Sequence, residues 1–99
     1  MNGTWWNLDR PVLDARLIGG KVIVLYDKAS YPKGKAAPNL VAFGTKQELL
    51  WVADNPTGHA TDGYTAFLCE SPLKVANFSG LSCRLDVETG KIKKIIFTE

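Results

Sequence analysis

Two stretches of this chain repeat one pattern, and that repetition constrains its fold more than any other feature. Pro38 to Asp54 (PNLVAFGTKQELLWVAD) and Gly80 to Thr98 (GLSCRLDVETGKIKKIIFT) each read as strand, tight turn, strand. Sliding one over the other with a one-residue gap in the turn places Val41 on Cys83, Phe43 on Leu85, Leu49 on Ile92 and Val52 on Ile95. A hairpin recurring after roughly 42 residues lies in the range where repeat architectures are expected. The signal concerns architecture and says nothing of an activity.

The rest of the chain extends each hairpin into a larger sheet. Val12 to Ile18 runs into Gly19-Gly20 and then Lys21 to Asp27 (KVIVLYD). A Gly-Gly pair between two apolar runs predicts a two-residue hairpin, because primed turns need positive φ. Val22, Val24 and Tyr26 share one face and Ile23 and Leu25 the other, so this strand is expected to be covered on both sides. Lys28 to Ala37 and Asp54 to Asp62 are loops by composition, rich in turn formers and without periodicity. Tyr64 to Cys69, a Ser71-Pro72 break and Leu73 to Asn77 follow, then a Ser79-Gly80 turn into the second hairpin. That hairpin's turn, Asp86-Val87-Glu88-Thr89-Gly90, pairs an Asp that accepts backbone hydrogen bonds with a Gly that supplies a left-handed residue. No segment sustains a helical period. The expectation is a single all-β domain over residues 1–99, with about eight antiparallel strands in two four-stranded sheets packed together. Unit one covers residues 11–54 and unit two 62–98; a β-sandwich or an open β-barrel is the alternative.

Leu85-Asp86-x-x-Thr89-Gly90-Lys91 resembles the Leu-Asp-x-x-Thr-Gly-Lys-x-x-Trp signature of quinoprotein-like (PQQ-type) propeller repeats. Trp51 stands where the signature Trp belongs in the first copy, Lys94 takes that place in the second, and Gly44 replaces the turn Asp of the first copy. The resemblance implies two propeller-blade-like units. Quinone-dependent enzymes of that class gather their residues at the centre of a full ring of blades, which two units cannot enclose, so no cofactor is carried over.

Composition narrows the functional classes. Hydrophobic content of 45% and charged content of 22% are those of an ordinary globular protein. A net charge of +2 is too small to imply nucleic acid or an anionic membrane without a concentrated patch. No apolar run approaches the roughly 20 residues of a membrane-spanning helix. MNGTWWNLDRP lacks a basic region followed by an apolar stretch, so a cytoplasmic location is expected and the glycosylation patterns at Asn2 and Asn77 carry no meaning. Two cysteines, Cys69 and Cys83, do not make a disulfide framework and read as small apolar groups.

Candidate chemistry is sparse. The single His59 lies between Asp54 and Asp62, a set that could offer a metal three ligands but reads more simply as loop solvation and Asx turns. A nucleophilic Cys or Ser would have only that His as its base. No catalytic residue, metal or cofactor is therefore expected. Lys33-Gly34-Lys35 is no phosphate loop; with Lys28, Tyr31, Lys91, Lys93 and Lys94 it would at most form a weak nucleic-acid surface. The expected function is a non-catalytic protein-interaction or self-assembling module, a homo-oligomer (dimer) or the binder of a protein partner. Trp5 and Trp6 are its candidate interface anchors. The alternative is a small-ligand site or enzyme with a cleft between the sheets lined by Tyr31, His59, Asp62 and Tyr64.

Overall fold

Alternating apolar residues punctuated by glycine turns build eight strands in the computed structural model, which describes residues 10–60 and 62–97. Sheet one comprises β1 (Val12–Ile18), β2 (Lys21–Tyr26), β3 (Leu40–Phe43) and β4 (Leu49–Val52). Sheet two comprises β5 (Tyr64–Glu70), β6 (Leu73–Asn77), β7 (Leu81–Leu85) and β8 (Ile92–Phe97). Every strand pairs antiparallel with its sequence neighbour, in the orders β1-β2-β3-β4 and β5-β6-β7-β8. Gly19 and Gly20 both have positive φ (57° and 78°), as a primed two-residue turn requires. The long loop after β2 contains one 3₁₀ turn, Lys28–Ser30, whose start is capped by the Asp27 side chain accepting from Ala29 N–H.

The two hairpins share one register. Val41 pairs with Val52 and Phe43 with Leu49; Cys83 pairs with Ile95 and Leu85 with Ile92. Each hairpin has a bulge at the same place, leaving Leu50 as the extra residue of β4 and Lys93 as that of β8.

The faces turned inward are nevertheless opposite. In sheet one the row Ile23–Ala42–Trp51 joins the core between the sheets. In sheet two the row Val75–Cys83–Ile95 takes the inward side, with Val75 and Cys83 wholly buried and Ile95, on the edge strand, still 41% exposed. Its counterpart in sheet one, Val24–Val41–Val52, lies on the far side. The sheets therefore pack head to tail. Trp51 is the central contact. Its ring lies against Gly90, and its Nε1–H donates to the Val87 carbonyl at 2.9 Å. Arg16 adds a surface tie, meeting Asp14 and Glu70 at 2.9 Å each and joining β1 to β5.

The outer face of β2 is covered too, as the two-sided apolar pattern of that strand predicts. Two stacked sheets covering one face each would leave Val22, Val24 and Tyr26 exposed for a partner to mask. Val24 is 0% exposed and all three are buried within this one chain, in a cluster that includes Val41 and Tyr31. Exposed apolar side chains concentrate instead on β1, β4 and β8. The principal dimensions are 38 × 29 × 19 Å, the smallest close to two stacked sheets with their outward side chains.

Candidate functional site

The residues expected to line a cleft fall into three separate settings. Asp62 and Tyr64 lie at the start of sheet two, and both are buried. Asp62 accepts hydrogen bonds from the Thr57 hydroxyl, from Ser79 Oγ at 2.8 Å, from Gly63 N–H at 2.9 Å and from Asn77 Nδ2 at 3.2 Å. Burial alone would raise its pKa. The hydroxyls of Thr57 and Ser79, with the backbone donors, outweigh burial and hold the carboxyl below its ordinary range. Tyr64 donates its hydroxyl to the Asp54 carbonyl, and burial pushes its pKa far up. Beside it, burial raises the Cys83 thiol as well.

Asn39 completes this network, with both polar atoms of its side chain engaged. Nδ2 donates to the carbonyls of Tyr26 and Tyr64 at 2.8 Å each, while Oδ1 accepts from Tyr64 N–H at 2.9 Å. One buried amide thus fastens β2 of sheet one to β5 of sheet two. Asp62 does the same for the connecting loop, whose backbone accepts from Ala37 N–H through the Asp62 carbonyl at 2.8 Å. This cluster is a charged carboxylate with its lone pairs engaged beside a tyrosine and a thiol held neutral. Its chemistry is that of a fastener between the sheets.

His59 and Tyr31 stand apart from it. The His59 side chain is exposed; its backbone N–H meets the Thr57 hydroxyl and its carbonyl accepts from Asp62 N–H. Tyr31 belongs to the cluster on the far side of sheet one, with the Arg10 guanidinium 4.0 Å above its ring. A hollow of about 110 Å³ there brings Tyr31 together with Lys28, Lys33 and Lys35. Trp5 and Trp6 lie outside the described residues. Among the described residues, no group of three His, Cys, Asp or Glu side chains is placed to hold a metal.

Two surfaces that sequence reasoning passed over are better formed. One is the β4 edge, where Leu49, Leu50 and Val52 are 61%, 41% and 43% exposed on the last strand of sheet one. The other is a groove of about 440 Å³ between the β1–β2 turn, the β5–β6 turn and β7. Its floor is Ile18, Leu73 and Leu85, and its rim carries Arg84, Lys93 and Asp86. The outer face of sheet two continues from Arg84 as a row of three cations, Lys74–Arg84–Lys94, one on each of three neighbouring strands. The signal for that row was present in the alternation of β6, β7 and β8, once the inward face of each was known.

No curated protein and no solved structure matches the chain. The sequence does match DUF7957, a domain of unknown function, over residues 1–97, and the chain belongs to that family.

Proposed function

We propose that this protein is a non-catalytic interaction module that assembles with a second copy of itself through the β4 edge. The observation that carries this reading is the chemistry of that strand. β4 ends its sheet, so one side of its backbone lacks a strand partner among the described residues. Such edges are ordinarily blunted by charge or proline. The other outer edge follows that rule, because β8 carries Lys93 and Lys94. β4 reads LLWV and carries neither, and three of its four side chains are exposed and apolar. Pairing β4 with β4 of a second copy satisfies backbone donors and acceptors and removes those leucines from water. The propeller-blade resemblance stands beside this as a reading of the two units themselves; head-to-tail packing and the seat of Trp51 on Gly90 support it.

Light scattering at tens of micromolar tests the assembly. The expected mass is twice the 10.9 kDa of the chain. Leu50→Lys introduces at the bulge the residue type that Lys93 already supplies at the matching place in β8, so the fold should accept it. That variant is expected to be monomeric with an unchanged far-ultraviolet spectrum. A wild-type mass of 10.9 kDa would overturn the proposal.

A further inference from the structure

The row of cations on the outer face of sheet two occupies a special position. Lys74 pairs with Arg84, and Arg84 with Lys94. By hairpin register their counterparts in sheet one are Ile23, Ala42 and Trp51, the row through which sheet one docks on sheet two. Sheet two thus presents outward the face that sheet one uses for docking, with its apolar side chains exchanged for positive ones. Like charges placed directly opposite across a sheet are destabilising. Among the described residues, none of the three cations enters an ion pair or a side-chain hydrogen bond. The acids that form ion pairs, Asp14, Glu70 and Glu88, are taken by Arg16 and Lys21.

The next row on this face is Ala66–Ala76–Ser82–Ile96, small on β5, β6 and β7 and closed on β8 by the exposed Ile96. The small neighbours on β5, β6 and β7 leave a shallow shelf beside Lys74 and Arg84, with Ile96 at its β8 end. Arg84 also forms part of the rim of the groove at the β5–β6 turn, with Lys93. The cations therefore run from the groove's rim, where Asp86 and Glu70 also stand, across β6, β7 and β8.

We infer that this face is a docking surface for an extended acidic segment of a partner protein. Charge complementarity names the occupant. Successive strands lie about 4.8 Å apart, so the three cations span roughly 10 Å. Alternate side chains of an extended peptide repeat every 6.6–6.8 Å or so, and two carboxylates fit that span. Single-stranded nucleic acid is held by positive charge combined with aromatic stacking platforms. This row and its shelf, Lys, Arg, Ala, Ser and Ile, contain no aromatic ring. The surface is separate from the β4 edge, and the inference goes beyond self-assembly.

Fluorescence anisotropy tests it with a labelled decapeptide of alternating glutamate and serine, set against a labelled ten-residue thymidine oligonucleotide. The peptide is expected to bind saturably at about 20 mM salt and to weaken as salt rises to about 300 mM. Lys74→Gln/Arg84→Gln/Lys94→Gln is expected to weaken binding by about tenfold, the equivalent of three modest surface ion pairs. Lys33→Gln/Lys35→Gln/Lys46→Gln removes the same charge elsewhere and should retain the wild-type affinity. The monomeric Leu50→Lys protein should bind as the wild type does, which separates this surface from the assembly edge. Absence of saturable peptide binding at low salt, equal losses in the two triple variants, or tighter binding of the oligonucleotide than of the peptide would each overturn the inference.

Discussion

Gly90 answers to two demands at once. Its φ is +75°, and a Cβ built on it would lie 2.6 Å from Trp51 Cδ2, inside the ring that joins the sheets. Gly34 has ordinary φ and nothing within 4 Å. Gly90→Val is therefore expected to lose about 1–3 kcal/mol from backbone strain, with a further loss from displacing Trp51. Gly34→Val should melt within a degree or two of the wild type, and equal melting temperatures for the two variants would contradict this account of the turn. Asp62 makes a prediction about acid. Its folded pKa is lowered, so its stabilisation is complete above the ordinary aspartate value of about 3.9 and is lost as pH falls through the lowered value. Asp62→Asn leaves Thr57 and Ser79 with a weaker acceptor and should cost about 1–3 kcal/mol at pH 7. Denaturant titrations should show the gap between variant and wild type narrowing below about pH 4. A gap that stays constant to pH 2 would mean the carboxylate charge contributes nothing to stability.

Between residue and molecule stands the hairpin, and the two copies solve one problem by different means. In the second, Asp86 Oδ1 accepts from Glu88 N–H at 2.8 Å across the turn. In the first, Gly44 offers no side chain, and Glu48 Oε1 reaches from the other arm to accept from Lys46 N–H at 3.1 Å. Glu48→Ala should cost about 0.5–1.5 kcal/mol, and adding Gly44→Asp should restore most of it by supplying the acceptor from the Asp86 side. Gly44→Asp alone should give little, because its Cβ would take the space of the Glu48 carboxylate and displace one acceptor as it supplies another; simple additivity in the four-protein cycle would refute the exchange. The glutamate beside a turn that lacks its Asp was visible in the sequence, but only as an unused acid. Strand order, the positive-φ glycines and the two-sided burial of β2 were legible because alternation and turn chemistry are local. The inward face of each hairpin was not. β2 is apolar on both faces, and the two hairpins are alike, so only packing between the sheets decides it. Asp62 and Tyr64 were found as polar residues near loops. Their burial depends on Asn39, Asn77 and Ser79, which lie 15 to 25 residues away along the chain.

At the scale of the molecule, head-to-tail packing would ordinarily propagate, since a heterologous contact repeated between copies gives open-ended arrays. Here it stops. Lys94 stands where a second docking tryptophan would be, and Gln47, also at positive φ (67°), stands where Gly90 receives the first. Two sheets close the series, with a cationic row at one end and a covered apolar cluster at the other. The meander topology has a consequence for time as well as space. Each strand pairs with the next one in the chain, so the ladders within a sheet close by short loops whose entropic cost grows only slowly with length. The contact between Trp51 and the Gly90 turn spans the β5–β6 stretch and the connecting loop, and it forms only once two hairpins exist to meet. Substitutions at that contact should then act after the rate-limiting barrier. Trp51→Phe is expected to raise the unfolding rate and leave the folding rate nearly unchanged in a stopped-flow chevron followed by circular dichroism. A loss confined to the folding limb would reverse the order, making the union of the sheets the event on which the hairpins depend.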